Sequence, residues 1–427
     1  MGRLDEYEIR HRAIQLHKKG TGFEKILRLV SRSRFWLTKW LRRFSEAGWE
    51  GLQDRSRAPK RIWRRTSKSL VQKILDLRTE LEAHQTRRSA FSGVGPEAIA
   101  WELQRRSVQT IPSLSTIARI LFRHGRSKRA KRKSGSGHRQ PYPAVKAIQM
   151  GDLHQTDLVG PRHLRGPKGV TRFYSFHTVD VVSHTVASSQ FRDKQSSSLC
   201  RHLVSAWRQL GVPTASQIDN EMAATGGGRY PYSLSQVVRL HLLLGVHLVF
   251  IPPGEPGRNA TVESFNELWQ ERVLRRHCCP TLAALKRVDQ RFLRYYHYHK
   301  PHRGLTQKEQ GTRFPGVMRD RQWACVRHLP RRFGLEAYRD SKGHLRLPLA
   351  QGKVSFIRKV DPHGYIDVHG VPYFIRRKLA DQYIMATVFT HRKKLVIKQQ
   401  GRNIKSFPFR HNESVVSPLL PIPRGRT

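Results

Sequence analysis

Three carboxylates lie at element ends in this sequence: Asp157 in HQTDLVGP, Asp219 in QIDNEMAA and Glu263 in IPPGEPGRNATVESFNELW. Hard divalent cations take oxygen ligands, so Asp and Glu rather than His or Cys are what a Mg²⁺ site requires. Two such ions about 3.5 to 4 Å apart can stabilise the attacking and leaving oxygens of a phosphodiester transfer together. The distribution of charge singles out the same region. The chain has 80 Lys and Arg against 31 Asp and Glu, a formal charge of +49, yet residues 151–270 hold nine acids and eleven Lys or Arg, a net of only +2. A surface that merely coats phosphates has no reason to keep acids, whereas a metal site does.

Other acids in the window compete. Asp180 lies in the strand beside that of Asp157 and reads as a supporting residue. Asp152 is five residues before Asp157, an odd offset that turns it to the opposite sheet face. Glu255 stands in a Gly/Pro loop where it can cap the following helix, and Glu267 is one turn after Glu263 on the same helical face. Either aspartate alone would read as a strand-end acid satisfying a turn. Together with Glu263 they read as a ligand set.

The elements that must position these acids follow from periodicity. MGDLHQTDLV, TRFYSFHTVDVV and HTVASSQF alternate as strands. A helix (SSSLCRHLVSAWRQLG), a strand (TASQID), a helix (SLSQVVRLHLLLG), a buried strand (HLVFI) and a long helix from Asn259 come next. That order predicts a mixed sheet with helices on its faces. Asp157 and Asp219 then end strands, and Glu263 sits in the first turns of the long helix. Arg258 and Asn259, at that helix start, are placed either to meet a phosphate or simply to cap the helix.

The flanks differ in texture. Near the N-terminus, DEYEIRHRAIQLHK, FEKILRLV and SRSRFWLTKWLRRF predict three short helices; Arg32, Arg34, Lys39 and Arg42 lie off the apolar face of the third. They read as a helix-turn-helix whose third helix enters the major groove, or as a plain bundle with a solvated basic face. A second helical unit of similar kind, winged-helix-like, follows in SLVQKILDLRTELEAH, GPEAIAWELQRR and PSLSTIARILFRHG. Lys128, Arg129, Lys131, Arg132 and Lys133 crowd a Gly/Ser/Pro-containing tether that either lies along phosphates or is solvated. Beyond residue 333, LRLPL, KVSFIRKV, YIDVHGVPYFI, YIMATVFTHRKKLVIKQ and IKSFPF predict a small β-barrel. The divisions are 1–55, 66–125, a linker over 126–147, 148–315 and 333–411.

Composition excludes several classes. A chain this basic calls for a polyanionic partner, and no apolar run of about 18 residues exists to cross a membrane. Cys200, Cys278, Cys279 and Cys325 lack disulfide or zinc spacing, and the start MGRLDEYEIRHR has no apolar signal core. The expectation is an intracellular protein with reduced thiols. HYHKPH places three histidines together, but no cysteine pair accompanies them to suit zinc.

HQTDLVGP, TVDVVSHTV, QIDNE and above all IPPGEPGRNATVESFNELW followed by YHYHKPHRGL resemble the catalytic domain of DDE-type insertion-sequence transposases, relatives of retroviral integrases. The resemblance is strong over 150–315 and weaker outside. It implies a multidomain α+β chain: N-terminal helix-turn-helix domains, a ribonuclease H-like mixed-sheet core and the C-terminal barrel. It also implies that Asp157, Asp219 and Glu263 bind two Mg²⁺ ions, with Mn²⁺ as a substitute, for 3′-end cleavage and strand transfer. No covalent enzyme intermediate is involved. The partners implied are double-stranded DNA (terminal repeats and target), further copies of the chain as a dimer or tetramer, and an ATPase helper, on the nucleoid of a bacterial cytoplasm. Two departures stand out: the 44-residue gap from Asp219 to Glu263, with ATGGGRYPYS as its extra loop, and Glu221, an alternative ligand two residues beyond Asp219. A DNA-binding regulator that keeps the core as scaffold, and a nuclease of the same fold without strand transfer, are the alternatives.

Overall fold

A computed structural model describes residues 5–55, 66–86, 89–128, 140–167, 169–220, 233–305, 311–411 and 413–423. Glu221 and the tether cations Arg129, Lys131, Arg132 and Lys133 lie outside the described residues. The chain divides into two compact units, Met1–Lys68 and Ser69–Thr427.

The first unit holds α1 (Glu6–Lys18), α2 (Phe23–Val30) and α3 (Arg34–Ala47). Ser33 caps α3 by accepting from the Trp36 N–H, the role for which serine is preferred at a helix start. Ala13, Ile26, Val30 and Leu37 form its apolar centre. Trp40 is buried between two guanidinium groups, Arg10 at 4.0 Å and Arg43 at 4.6 Å from its ring centroid. Arg10 also donates to the Leu52 carbonyl at 2.8 Å, which ties the end of the unit back to α1.

The second unit opens with three helices, α4 (Lys68–Ala83), α5 (Pro96–Arg105) and α6 (Leu114–Arg123), packed around Ile74, Leu77, Ile99, Leu103 and Ile117. Pro96 begins α5 and Ser113 caps α6, as their start signals predict. The sheet follows: β1 (Leu153–Gly166), β2 (Gly169–Asp180), β3 (Val186–Phe191), α7 (Ser196–Leu210), β4 (Ala215–Ile218), α8 (Gln236–Leu243), β5 (His247–Phe250), α9 (Ala260–Trp269), α10 (Leu282–Tyr298) and α11 (Pro315–Gln322). The meander β1–β2–β3 is antiparallel, while β1–β4 and β4–β5 are parallel. One face packs against α7 and α8 through Leu203, Trp207, Val237 and Leu240; the other packs against α9 and α10 through Phe265, Trp269 and Phe292. β4 and the last three residues of β5 are buried, which accounts for the apolar run Leu248–Phe250 in β5.

Two expectations need correcting. The helix from Asn259 is short: Pro256–Asn259 is a 3₁₀ turn, α9 runs for ten residues, and Gln270–Leu274 is a π turn. Nor do the C-terminal strands, among the described pairings, close into a barrel of their own. β6 (Lys353–Lys359) pairs in parallel with β5, and β9 (Tyr383–Phe389), β10 (Lys394–Gln399) and β11 (Arg402–Pro408) continue outward to give the order β11-β10-β9-β6-β5-β4-β1-β2-β3. β7 (Tyr365–Val368) and β8 (Val371–Phe374) form a separate hairpin. LRLPL is not a strand. The reason is burial: β5 would be an open edge, and β6 covers it by stacking Phe356 on Phe250 at a 5.0 Å ring separation.

Candidate active site

β1 and β4 run side by side with Gln155 opposite Gln217 and Thr156 opposite Ile218. Side chains two residues apart share a sheet face, so Asp157 follows Gln155 onto the face that Gln217 also uses, with Asp219 just past the end of β4. Both glutamines are buried and reach the start of α9. Gln155 Oε1 accepts from the N–H groups of Thr261 (3.1 Å) and Val262 (3.4 Å), two of the donors that every helix start leaves without an intrahelical partner. Gln217 Nε2 donates to the Arg258 carbonyl and to Asn259 Oδ1, each at 2.8 Å. These bonds fix the first turn of α9, and Glu263 with it.

Asp157, Asp219 and Glu263 are all half-buried. Burial, then the charges of Asp157, Glu267 and Asp219, hold the Glu263 carboxyl above its ordinary proton affinity. The neighbouring acids thus place a concentrated negative field on Glu263, which a divalent cation would relieve. The donor set is all oxygen, the set that a hard cation selects. Among the described residues, no three acidic, His or Cys side chains stand at a common coordination point.

A polar chain supports Asp157 from behind. Asn266, one turn after Glu263, donates from Nδ2 to Asp157 Oδ2 at 2.8 Å, and its Oδ1 accepts from His177 Nδ1 at 2.5 Å. His177 Nε2 accepts from Ser175 Oγ at 2.8 Å, which in turn accepts from Gln190 Nε2 at 3.3 Å. Burial pushes His177 down to about 4, so it is neutral and its single N–H is committed to Asn266. Sequence reading missed Asn266 and His177. The signal available was Asn266 at three residues from Glu263, together with the antiparallel pairing of β1 and β2, which puts His177 opposite Asp157.

Three of the four competing acids, Asp180, Asp152 and Glu255, are occupied elsewhere. Asp180 is fully buried and accepts from the N–H groups of Gly151, Val182 and Ser183, with His154 at 3.4 Å; these bonds hold its carboxyl below the usual range despite burial. Asp152 accepts from the Ile148 and Gln149 N–H groups. Glu255 pairs with Arg258 at 2.9 Å and accepts from the Tyr383 hydroxyl. Glu267 is exposed and adds to the field on Glu263.

Asn259 and Arg258, read as either phosphate contacts or helix caps, both have protein partners in the structure. Asn259 is buried and held by Gln217, so it anchors the helix start instead of facing a phosphate. Arg258 is stacked on Tyr142 at 4.0 Å and paired with Glu255, which commits it to the loop. Of the cations on the third helix, Arg32 is bonded to Glu6 and Arg42 to Glu46. Arg34 and Lys39 are exposed and make no ion pair among the described residues; Lys128 is exposed as well. The three histidines of HYHKPH have separate surroundings: His297 is buried and accepts from the Val186 N–H, His299 is exposed, and His302 stacks on His184.

Residues 244–309 match the integrase core domain family. This integrase-core segment spans β5, α9 with Glu263, and all of α10. Residues 36–121 match a homeodomain-like domain, from within α3 to within α6. Solved structures similar to this chain include an intasome of simian T-cell lymphotropic virus, at 15% identity over 75% of this chain and 95% of the other, with a TM-score of 0.31. The HTLV-2 integrase catalytic core, in a complex with magnesium, is 16% identical over 40% of this chain and 99% of its own, with a TM-score of 0.28. The catalytic core of BIV integrase is 15% identical over 41% and 97%, with a TM-score of 0.29. Both family matches are partial: the first covers the segment that bears Glu263, the second the helices that precede the sheet. No helix among the described residues is long and apolar enough to cross a membrane.

Proposed function

We propose that this chain is a DNA transposase that binds the terminal repeats of a mobile element, frees a 3′-OH at each end and joins it to target DNA. One observation carries the reading: Asp157, Asp219 and Glu263 come together from three elements, where burial and then the charges of Asp157, Glu267 and Asp219 raise the proton affinity of Glu263. Asp157, Asp219 and Glu263 would hold two Mg²⁺ ions, with Mn²⁺ substituting, which would supply Lewis-acid activation of oxygen nucleophiles there. Gln155 and Gln217 keep the glutamate-bearing helix against the strand ends, and Asn266 orients the Asp157 carboxylate. Arg34 and Lys39 on α3 are the cations best placed to engage duplex DNA. Two element ends call for at least a dimer assembled on DNA, acting on a bacterial nucleoid.

The test is to incubate the full chain with labelled terminal repeats, target DNA and Mg²⁺, with and without a helper ATPase. Joined products are expected, and Asp157→Asn, Asp219→Asn or Glu263→Gln should each remove them while DNA affinity stays within about twofold. Cleavage without joining would identify a nuclease, and binding with neither would identify a regulator; either result overturns the proposal.

A further inference from the structure

A cavity lined by neither aspartate nor by Glu263 lies within the second unit. It encloses about 1120 Å³ between α5, the start of α6, α10 and the segment 299–305. A volume of this size suits a ligand or an unpaired strand and is too small to admit a duplex.

Its wall carboxylates Glu97, Glu102 and Glu271 are paired with Arg303, Arg105 and Arg276, and the rest of the lining combines two chemistries. Arg294, Lys300 and Arg313 line it and, among the described residues, make no ion pair. Arg294 and Arg313 are exposed, whereas Lys300 is half-buried. Burial, then repulsion from Arg272 and Arg303, pushes the Lys300 ammonium down to about 8 against the opposing pull of Glu97. A buried cation among other cations is relieved by an anion. The second chemistry is aromatic: Trp101 and Tyr295 line the same cavity, and both are half-buried. Basic grooves interleaved with aromatic rings hold single-stranded nucleic acid, because the cations follow the backbone and every base has a face to stack.

We infer that this cleft binds a short single strand of DNA, its phosphates on Arg294, Lys300 and Arg313 and a base against Trp101 or Tyr295. The inference rests on the DNA-transaction reading for its choice of ligand. Its position suggests a purpose. Arg272, on the cleft wall, follows Glu263 by nine residues of continuous helical chain, roughly 14 Å at helical rise. A strand whose scissile phosphate lies at the acids could therefore extend its unpaired end toward the cleft.

The experiment uses the full chain and fluorescein-labelled oligothymidylate, with a matched duplex and inorganic phosphate as competitors. The Arg294→Glu/Arg313→Glu pair is expected to weaken single-strand binding at least tenfold. The slope of log K against log salt should fall by about 1.4, two phosphates at 0.7 each. Arg377→Glu/Lys378→Glu, an exposed pair outside the cleft with the same charge change, should alter affinity no more than about twofold. A 5-iodouracil strand should crosslink within residues 97–105 or 291–305. Equal losses in the two pairs, crosslinks confined to other peptides, or displacement of the strand by phosphate alone at submillimolar concentration would overturn the inference. The joining assay above is read separately on the unsubstituted chain, so strand binding without joining sinks the transposase reading and leaves this one intact.

Discussion

Gln155 and Gln217 face one another across the parallel β1–β4 pair, and each directs its amide to the start of α9. The two bonds have opposite polarity, one glutamine accepting from helix N–H groups and the other donating to a carbonyl and to an amide oxygen. The helix that carries Glu263 is thus referenced to both strands that carry the aspartates. Gln155→Leu leaves two helix-start donors without that acceptor, at a cost of about 1 to 3 kcal/mol. Single-turnover joining should fall by about 10 to 100-fold while filter-binding affinity stays unchanged, as for other groups that support metal ligands. Joining at the wild-type rate would remove Gln155 from the site.

Asn266 fixes which way the Asp157 carboxylate faces. In Asn266→Ala the carboxylate loses that donor, and joining should require more Mg²⁺, with activity lower by about 10 to 100-fold at fixed metal. His177→Leu breaks the same chain one link further back and should give a smaller shift in the same direction. The measurement is a Mg²⁺ titration of joining. A reduced maximal rate at an unchanged Mg²⁺ midpoint would mean that Asn266 serves folding alone.

Phe356 lies parallel to Phe250 across the β5–β6 seam, at an interplanar angle of 13°. Phe356→Ala should cost about 3 to 5 kcal/mol in urea unfolding. Truncation before residue 333 should yield insoluble protein, because Leu248, Val249 and Phe250 would become an apolar edge. A soluble, monomeric truncated core would contradict the pairing.

Several histidines are buried as neutral rings, with His177 and His241 held down to about 4 and His202 and His297 to about 3, in each case first by burial. Their folded values lie below the unfolded 6.5, so between the two the unfolded chain binds protons that the folded chain refuses. Stability from these groups is complete above about pH 6.5 and declines as pH drops toward 4. His241→Leu, against Trp207, should flatten that decline by about 1.4 kcal/mol per pH unit, the value for one proton. The check is urea unfolding at pH 4.5, 5.5, 6.5 and 7.5; an unchanged slope would show that His241 is charged in the fold.

Much of this was legible in the residues. Helix starts carried their own punctuation, as at Pro96 and Ser113, and the strand–helix alternation over 150–270 needed only periodicity. The acids stood out because their neighbourhood was neutral in a cationic chain. What escaped were facts of long-range pairing. A run such as KVSFIRKV reads the same whether its partner is a barrel strand or β5, since alternation names a face and not a neighbour. At a helix start Asn259 could equally meet a phosphate or cap the helix; its burial and its bond from Gln217 belong to long-range packing that the sequence does not display. Asn266 carries no charge, and its importance appears once β2 brings His177 behind it.

Arg358, on β6, donates at 2.8 Å to the side-chain oxygen of Asn220, the residue after Asp219, and also reaches the carbonyls of Ile357, Ile251 and Asp367. The last segment of the chain thereby helps to shape the loop that bears a candidate metal ligand. For anyone building chimaeras between relatives, the seam between β5 and β6 is a poor crossover point: a foreign C-terminal piece would bring a mismatched buttress to Asp219, so the core and its C-terminal strands should be exchanged together or left together.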